Sequence, residues 1–219
     1  MKASKESIIL KLKKPLFKWW RNHKGDFPWR KVKDPWKVLV AAILLRKTNA
    51  TTVSKYFNAI LREFSSLDKV LSTPLTQIEN ILKPLGMYKV RARQLKAAAE
   101  VIAREYCGEV PSKMRELLKV PGIGRYSAAL ILSIAYNKYI PIIDVNVTRV
   151  IERVTGKMKL KSEVIERMIC KALRGREILE FSLATIDLAR TICKKSNPKC
   201  ASCPLNQLCK WERSKSLKV

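Results

Sequence analysis

Four cysteines near the C-terminal end, Cys193, Cys200, Cys203 and Cys209, form a C-x6-C-x2-C-x5-C array. No other feature limits the fold of this chain as strongly, because four thiolates packed this closely can converge on one soft metal centre, a zinc ion or an iron–sulfur cluster. Spacing alone does not choose between the two. Two disulfides are the poorer reading. The chain opens MKASKESIIL, without an apolar signal segment, and is expected to stay in a reducing compartment. A loop this small cannot fold by itself, so the array must be built onto something larger. Cys107 and Cys170 stand apart and read as small apolar packing residues.

That larger body is helical in pattern. Apolar residues recur at helical spacing over 8–20, 36–45, 53–64, 90–102, 127–135, 145–154 and 178–192. Prolines at 28, 35, 74, 84, 111, 121 and 141 punctuate the pattern. Only 139–143 reads as extended, and neither a hairpin signal nor an internal repeat is evident. The fold class is therefore all-α. With 219 residues the chain can bury a core in one or two domains. No low-complexity linker divides it, and the amphipathic N-terminal helix is expected to pack with the C-terminal cysteine segment.

Charge narrows the partner. The chain carries 45 Lys+Arg against 18 Asp+Glu, a formal net charge of +27 spread along its length. A folded protein this basic is attracted to polyanions, nucleic acid first among them. The plain alternatives are a solvated Lys-rich surface or a ribosome-like binding protein. No apolar run is long and charge-free enough to span a bilayer, so a cytoplasmic, nucleoid-associated chain without membrane contact is expected. The many charged residues and few Gln also suit a hot environment.

Residues 114–132 read MRELLKVPGIGRYSAALIL, a helix, a Val120-Pro121-Gly122-Ile123-Gly124 turn and a second helix. Pro121 stops the first helix, and Gly122 and Gly124 permit positive φ and close approach of another molecule. Ile123 can plug between the helices. Amides at the start of the second helix then face outward, where the helix dipole favours an anion, and such a turn grips a DNA phosphate without reading sequence. An ordinary Gly-capped helical turn is the bland alternative. Downstream, Asp144 lies between the extended stretch and the next helix. Alone it is most simply an N-cap; functionally it is a carboxylate at the mouth of a cleft.

The hairpin VPGIGRYSA, the Asp in IIDVNVTRV and the cysteine array stand in an order and at separations that resemble the helix-hairpin-helix DNA glycosylases of the endonuclease III superfamily. Further matches are Phe27-Pro28-Trp29-Arg30, Asp34-Pro35-Trp36, the segment from Ala42 to Thr48, and Gly86-Met87-Tyr88 followed by Arg91-Ala92-Arg93. The resemblance covers roughly residues 15 to 212. It implies a [4Fe–4S] cluster on Cys193, Cys200, Cys203 and Cys209. It also implies two domains with the DNA cleft between them. One is a six-helix barrel over 28–138, with the helix-hairpin-helix at about 113–132. The other is an iron–sulfur cluster domain from 1–27 plus 139–219.

Within that family the bifunctional members carry a Lys at the place of Tyr126, whose amine forms a Schiff base with the sugar. Tyr cannot do so, and the Arg125 guanidinium stays protonated, so an intact abasic site is the expected product. The adenine glycosylases carry a Glu where this chain has Ala42. Tyr126 with Arg46-Lys47-Thr48 looks most like the archaeal thymine glycosylases of G·T and G·U pairs, which also carry that Glu. The chain thus reads as a monomeric glycosylase of duplex DNA holding a mismatched or deaminated base. Asp144 and Tyr126 are its catalytic pair. DNA contacts are assigned to Val120, Gly122, Ile123, Gly124, Arg46, Lys47, Met87, Tyr88, Lys194 and Lys195. A glycosylase for adenine or a damaged pyrimidine, and a non-catalytic DNA-binding protein, are the alternatives. Trp19, Trp20 and Trp36 read as core, His23 as a solvated loop residue, and Glu100, Glu105 and Asp187 as surface or capping residues.

Overall fold

A computed structural model describes residues 7–212. Eleven helices and no strand occur among the described residues: α1 Ile8–Trp20, α2 Pro35–Leu44, α3 Ala50–Glu63, α4 Leu67–Ser72, α5 Leu75–Leu82, α6 Tyr88–Glu105, α7 Met114–Leu117, α8 Arg125–Ile134, α9 Val145–Thr155, α10 Ser162–Ala172 and α11 Arg176–Thr191. The expected extended stretch at 139–143 forms no strand and runs as irregular chain, with the Ile142 amide donating to Ser182 Oγ (3.1 Å). No helix among the described residues is long and apolar enough to cross a membrane.

The chain divides into two compact units, Asp26–Lys138 and the paired ends Met1–Gly25 with Tyr139–Val219. In the first unit α2 is the central pin. Its sequence PWKVLVAAIL has no polar face, and every residue from Val38 to Leu44 is fully buried. A helix apolar all round must be enclosed, and α3, α6 and α8 pack against it. Asp34 starts it, accepting from the amides of Trp36 (2.9 Å) and Lys37 (3.2 Å), with Pro35 at the first helical position. Trp36 is core, as its spacing predicts, and its indole donates to the Phe64 carbonyl at 3.0 Å.

In the second unit Ile9, Leu12 and Leu16 of α1 share one core with Val147, Val150, Ile151 and Val154 of α9, Ile165 and Ile169 of α10, and Phe181 and Leu188 of α11. The 3–4 spacing on each helix supplies the stripe that each contributes. Asp187 departs from its expected surface or capping role: it is fully buried. It accepts from the Trp20 indole (2.8 Å) and the Gly25 amide (3.0 Å), closing the end of α1 onto α11. Asp187→Ala strands both donors and is expected to cost about 3 kcal/mol in a denaturant titration.

Candidate nucleic-acid interface and cysteine centre

The hairpin forms between α7 and α8. Val120 and Ile123 turn their side chains inward, and their amides are taken inside the turn, by the carbonyls of Leu117 and Val120 respectively, both at 3.1 Å. They anchor the turn; neither amide is available to a phosphate. The amides of Gly122 and Gly124 have no acceptor among the described residues. Gly122 has φ +81°, and a Cβ there would stand 3.1 Å from the Gln94 Cβ, so glycine is needed for both conformation and space. Gly124 differs from expectation. Its φ is −97°, which any residue adopts. What glycine provides there is room, since a Cβ would meet nothing of this chain within 4 Å. Tyr126 follows in the first turn of α8 and is half-buried.

Two more loops of the same unit carry expected contact residues. Arg46 and Lys47, both exposed, follow α2; Lys47 has a left-handed backbone at φ 52°. The Arg46 guanidinium donates to Gln94 Oε1 (2.7 Å) and the Gly122 carbonyl (3.3 Å), which ties this loop to the hairpin. Met87 heads α6 at φ 48° with 48% of its surface exposed, and Tyr88 beside it is half-buried. Ala42, where the resemblance drawn from the sequence implies a Glu in related glycosylases, is fully buried in α2.

One functional feature escaped the sequence reading. Arg91 is 2% exposed and its five N–H groups find five acceptors. Nε donates to the Gly86 carbonyl (3.0 Å), one terminal nitrogen to Ile43 (2.8 Å) and Leu44 (2.7 Å), and the other to the Arg46 carbonyl (2.6 Å) and to Thr48 Oγ1. Burial, then the nearby Arg46 charge, lowers its pKa from the usual arginine value. The Arg-Ala-Arg run gave no sign of this, because backbone carbonyl acceptors leave no mark in a sequence.

Asp144 lies in the other unit and is the N-cap of α9. Its Oδ1 accepts from the amides of Asn146 (2.9 Å) and Val147 (2.8 Å), and its Oδ2 from the Asn146 side-chain amide (2.7 Å). The cap and the functional carboxylate are thus one group, oriented by three donors and half-exposed. The network runs on: Arg149 donates to Asn146 Oδ1 (3.0 Å), to the Cys193 carbonyl (3.0 Å) and to the Ala189 carbonyl (3.3 Å). The acid is therefore braced against the start of the cysteine loop.

All four array cysteines are half-buried, unbridged, and line one cavity beside Ile192 and Leu205. Their sulfurs surround this space without meeting at a point; among the described residues no three His, Cys, Asp or Glu side chains stand grouped to hold a single metal ion. Burial, then a hydrogen bond that the thiol donates to the Glu212 carboxylate, pushes Cys200 up to about 12, and burial pushes Cys203 up to about 11. Apolar walls that penalise thiolates in the absence of a cation, with four soft donors around them, fit a cationic iron–sulfur core. Arg153 braces the loop: it donates to the carbonyls of Lys194 (2.7 Å) and Lys195 (3.0 Å) and stacks 4.4 Å from the Trp211 ring centre. The side chains of Lys194, Lys195 and Lys199 are left exposed.

Residues 40–173 match the family model of the HhH-GPD superfamily of base excision DNA repair proteins. A thymine/uracil-DNA glycosylase of Pyrobaculum aerophilum is 38% identical over 91% of this chain and 90% of its own length. A protein of the same description from Methanothermobacter thermautotrophicus is 31% identical over 88% and 89%. Among solved structures, a thermostable thymine-DNA glycosylase superposes with a TM-score of 0.88 at 29% identity, covering 94% of this chain and 97% of that one.

Proposed function

We propose that this chain, which belongs to the HhH-GPD superfamily of base excision DNA repair proteins, is a monofunctional glycosylase that hydrolyses the N-glycosidic bond of thymine or uracil mispaired with guanine in duplex DNA. The observation that carries the chemistry is Asp144, a half-exposed carboxylate whose orientation is fixed by three donors at the start of α9. The choice of base rests on the relatives described as thymine/uracil glycosylases.

In this reading the target nucleotide is turned out of the stack, which costs least at a mispair. The Gly122 and Gly124 amides hold a phosphate near the lesion, with Val120 and Ile123 keeping the turn in shape. Met87 or Tyr88 fills the gap left in the duplex, and Arg46 and Lys47 contact the backbone or the opposite strand. Lys194 and Lys195 add phosphate contacts. Tyr126 packs against the extruded base or sugar. Asp144 stabilises the oxocarbenium-like sugar and accepts a proton from the attacking water, whose oxygen bonds to C1′ as the C1′–N1 bond breaks. The base leaves as an N1 anion and takes up a proton afterwards, so a Glu at position 42 is not required. Cys193, Cys200, Cys203 and Cys209 would hold a [4Fe–4S] cluster, which supplies cross-linking of the loop that carries Lys194 and Lys195.

The test is strand nicking, with and without alkali, on duplexes holding one G·T, G·U, G·A or G·C pair. Alkali-dependent cleavage at T and U alone is the expected result; cleavage at A, or at none of the four, overturns the assignment. Tyr126→Lys places an amine on α8. It is expected to make cleavage independent of alkali and to give a borohydride-trapped protein–DNA adduct. No adduct would mean that position 126 does not face the sugar.

A further inference from the structure

Arg91 is the most deeply buried cation in the unit that carries the hairpin, and none of its five acceptors is a carboxylate. A guanidinium held only by neutral dipoles is an unusual use of a charge in a chain that already carries +27. Its acceptors explain it. Two are carbonyls in the last turn of α2, beyond the reach of the regular helical ladder, of which Ile43 also takes the Arg46 amide (3.4 Å). Two belong to the loop that follows, and one is the Gly86 carbonyl in the turn before α6. The cation thus joins the Arg46–Thr48 loop to the Gly86–Met87 turn.

Each of those segments contains a non-glycine residue in the left-handed region, Lys47 at φ 52° and Met87 at φ 48°. Such residues persist where surrounding contacts over-determine them, and both are exposed. Three positions along α6 from Arg91, on the same face, Gln94 meets the Arg46 guanidinium and packs against Gly122. One face of α6 therefore carries both braces, Arg91 for the two loops and Gln94 for the hairpin.

We propose that Arg91 is a positioning residue that presets the Arg46–Thr48 loop and the Met87 turn as one rigid edge, so that extrusion of the base from duplex DNA depends on it while bond cleavage does not. This rests on the glycosylase reading above. Lysine offers three donors to five acceptors and methionine none, which grades the variants.

The experiment uses full-length protein and a G·U duplex with 2-aminopurine beside the uracil, read by stopped-flow fluorescence for extrusion and by single-turnover excision for chemistry. Arg91→Met is expected to slow extrusion about 100-fold, and Arg91→Lys about tenfold. Excision of uracil already unpaired, opposite an abasic site, should change less than threefold in both. Equal losses on the two substrates, or unchanged extrusion, overturn the proposal. If Arg91→Met does not fold, Thr48→Val decides: deleting one acceptor of Arg91, together with the hydroxyl's own bond to the Leu85 carbonyl (3.2 Å) that joins the same two segments, should slow extrusion several-fold and leave excision of unpaired uracil intact. Wild-type protein that leaves the G·U duplex uncut and its fluorescence unchanged instead refutes the glycosylase reading.

Discussion

Asp144→Asn is expected to lower single-turnover excision by about 10³-fold, the scale on which a positioned acid–base group and charge stabilisation act. Affinity for mismatched duplex should stay within about threefold. The substitution is informative because the proposed mechanism gives Asp144 a second role beside the N-cap. Asparagine is as good an N-cap as aspartate, so the bonds from the Asn146 and Val147 amides survive and stability should change by less than about 1 kcal/mol. What is lost is the negative charge that the proposal sets against the sugar. Asp144→Ala removes cap and charge together and should lose about 1 kcal/mol of stability in addition to activity. An Asn variant that excises at the wild-type rate would show that the residue is only a cap and sink the mechanism.

The second large effect concerns the cysteine loop. Cys203→Ala should abolish visible cluster absorbance and reduce iron from about four atoms per chain to none. Between Cys193 and Cys209 the described chain has only two single-turn 3-10 segments, held by the Arg149 and Arg153 braces, the Asn206 bond to the Cys200 carbonyl and buried Leu205, to which the proposed cluster would add its cross-link. Amide exchange across that segment should rise about 10³-fold, equivalent to about 4 kcal/mol of local stability. Amides of α2 and α8, in the other unit, should be unaffected. The variant should also lose salt dependence of DNA binding, with a slope reduced by about 2 as Lys194 and Lys195 leave the phosphates. Retained iron, or unchanged exchange in the loop, would show that these four cysteines do not share a cluster.

Periodicity was a good guide wherever a helix has a long apolar stripe. The reading 8–20 coincides with α1, and 178–192 lies within a residue or two of α11 at each end. It passed over α4, α5 and α10, where only two residues each are buried; of these only α4 has a side-chain cap, Ser66 accepting from the Lys69 amide. The N-cap at Asp144 was legible because an aspartate just before an apolar-periodic run is a local signal. The cysteine array was legible because ligand spacing is local. Arg91 and Asp187 were not: each is a charge made tolerable by partners distant in sequence, the carbonyls at 43–46 for one and Trp20 with Gly25 for the other. Of the two reasons expected for Gly124, room for close approach agrees with the open space around it and a left-handed backbone does not.

The shared core of α1 with α9, α10 and α11 sets an order of assembly on the ribosome. Residues 26–138 form a contiguous unit and can close while synthesis continues. Helix α1 is made first but must wait, its Ile9, Leu12 and Leu16 unpartnered, until α11 emerges some 160 residues later. The unit bearing the acid is therefore completed last. A chain released early would have its hairpin yet lack the core that seats Asp144 and the cysteine loop.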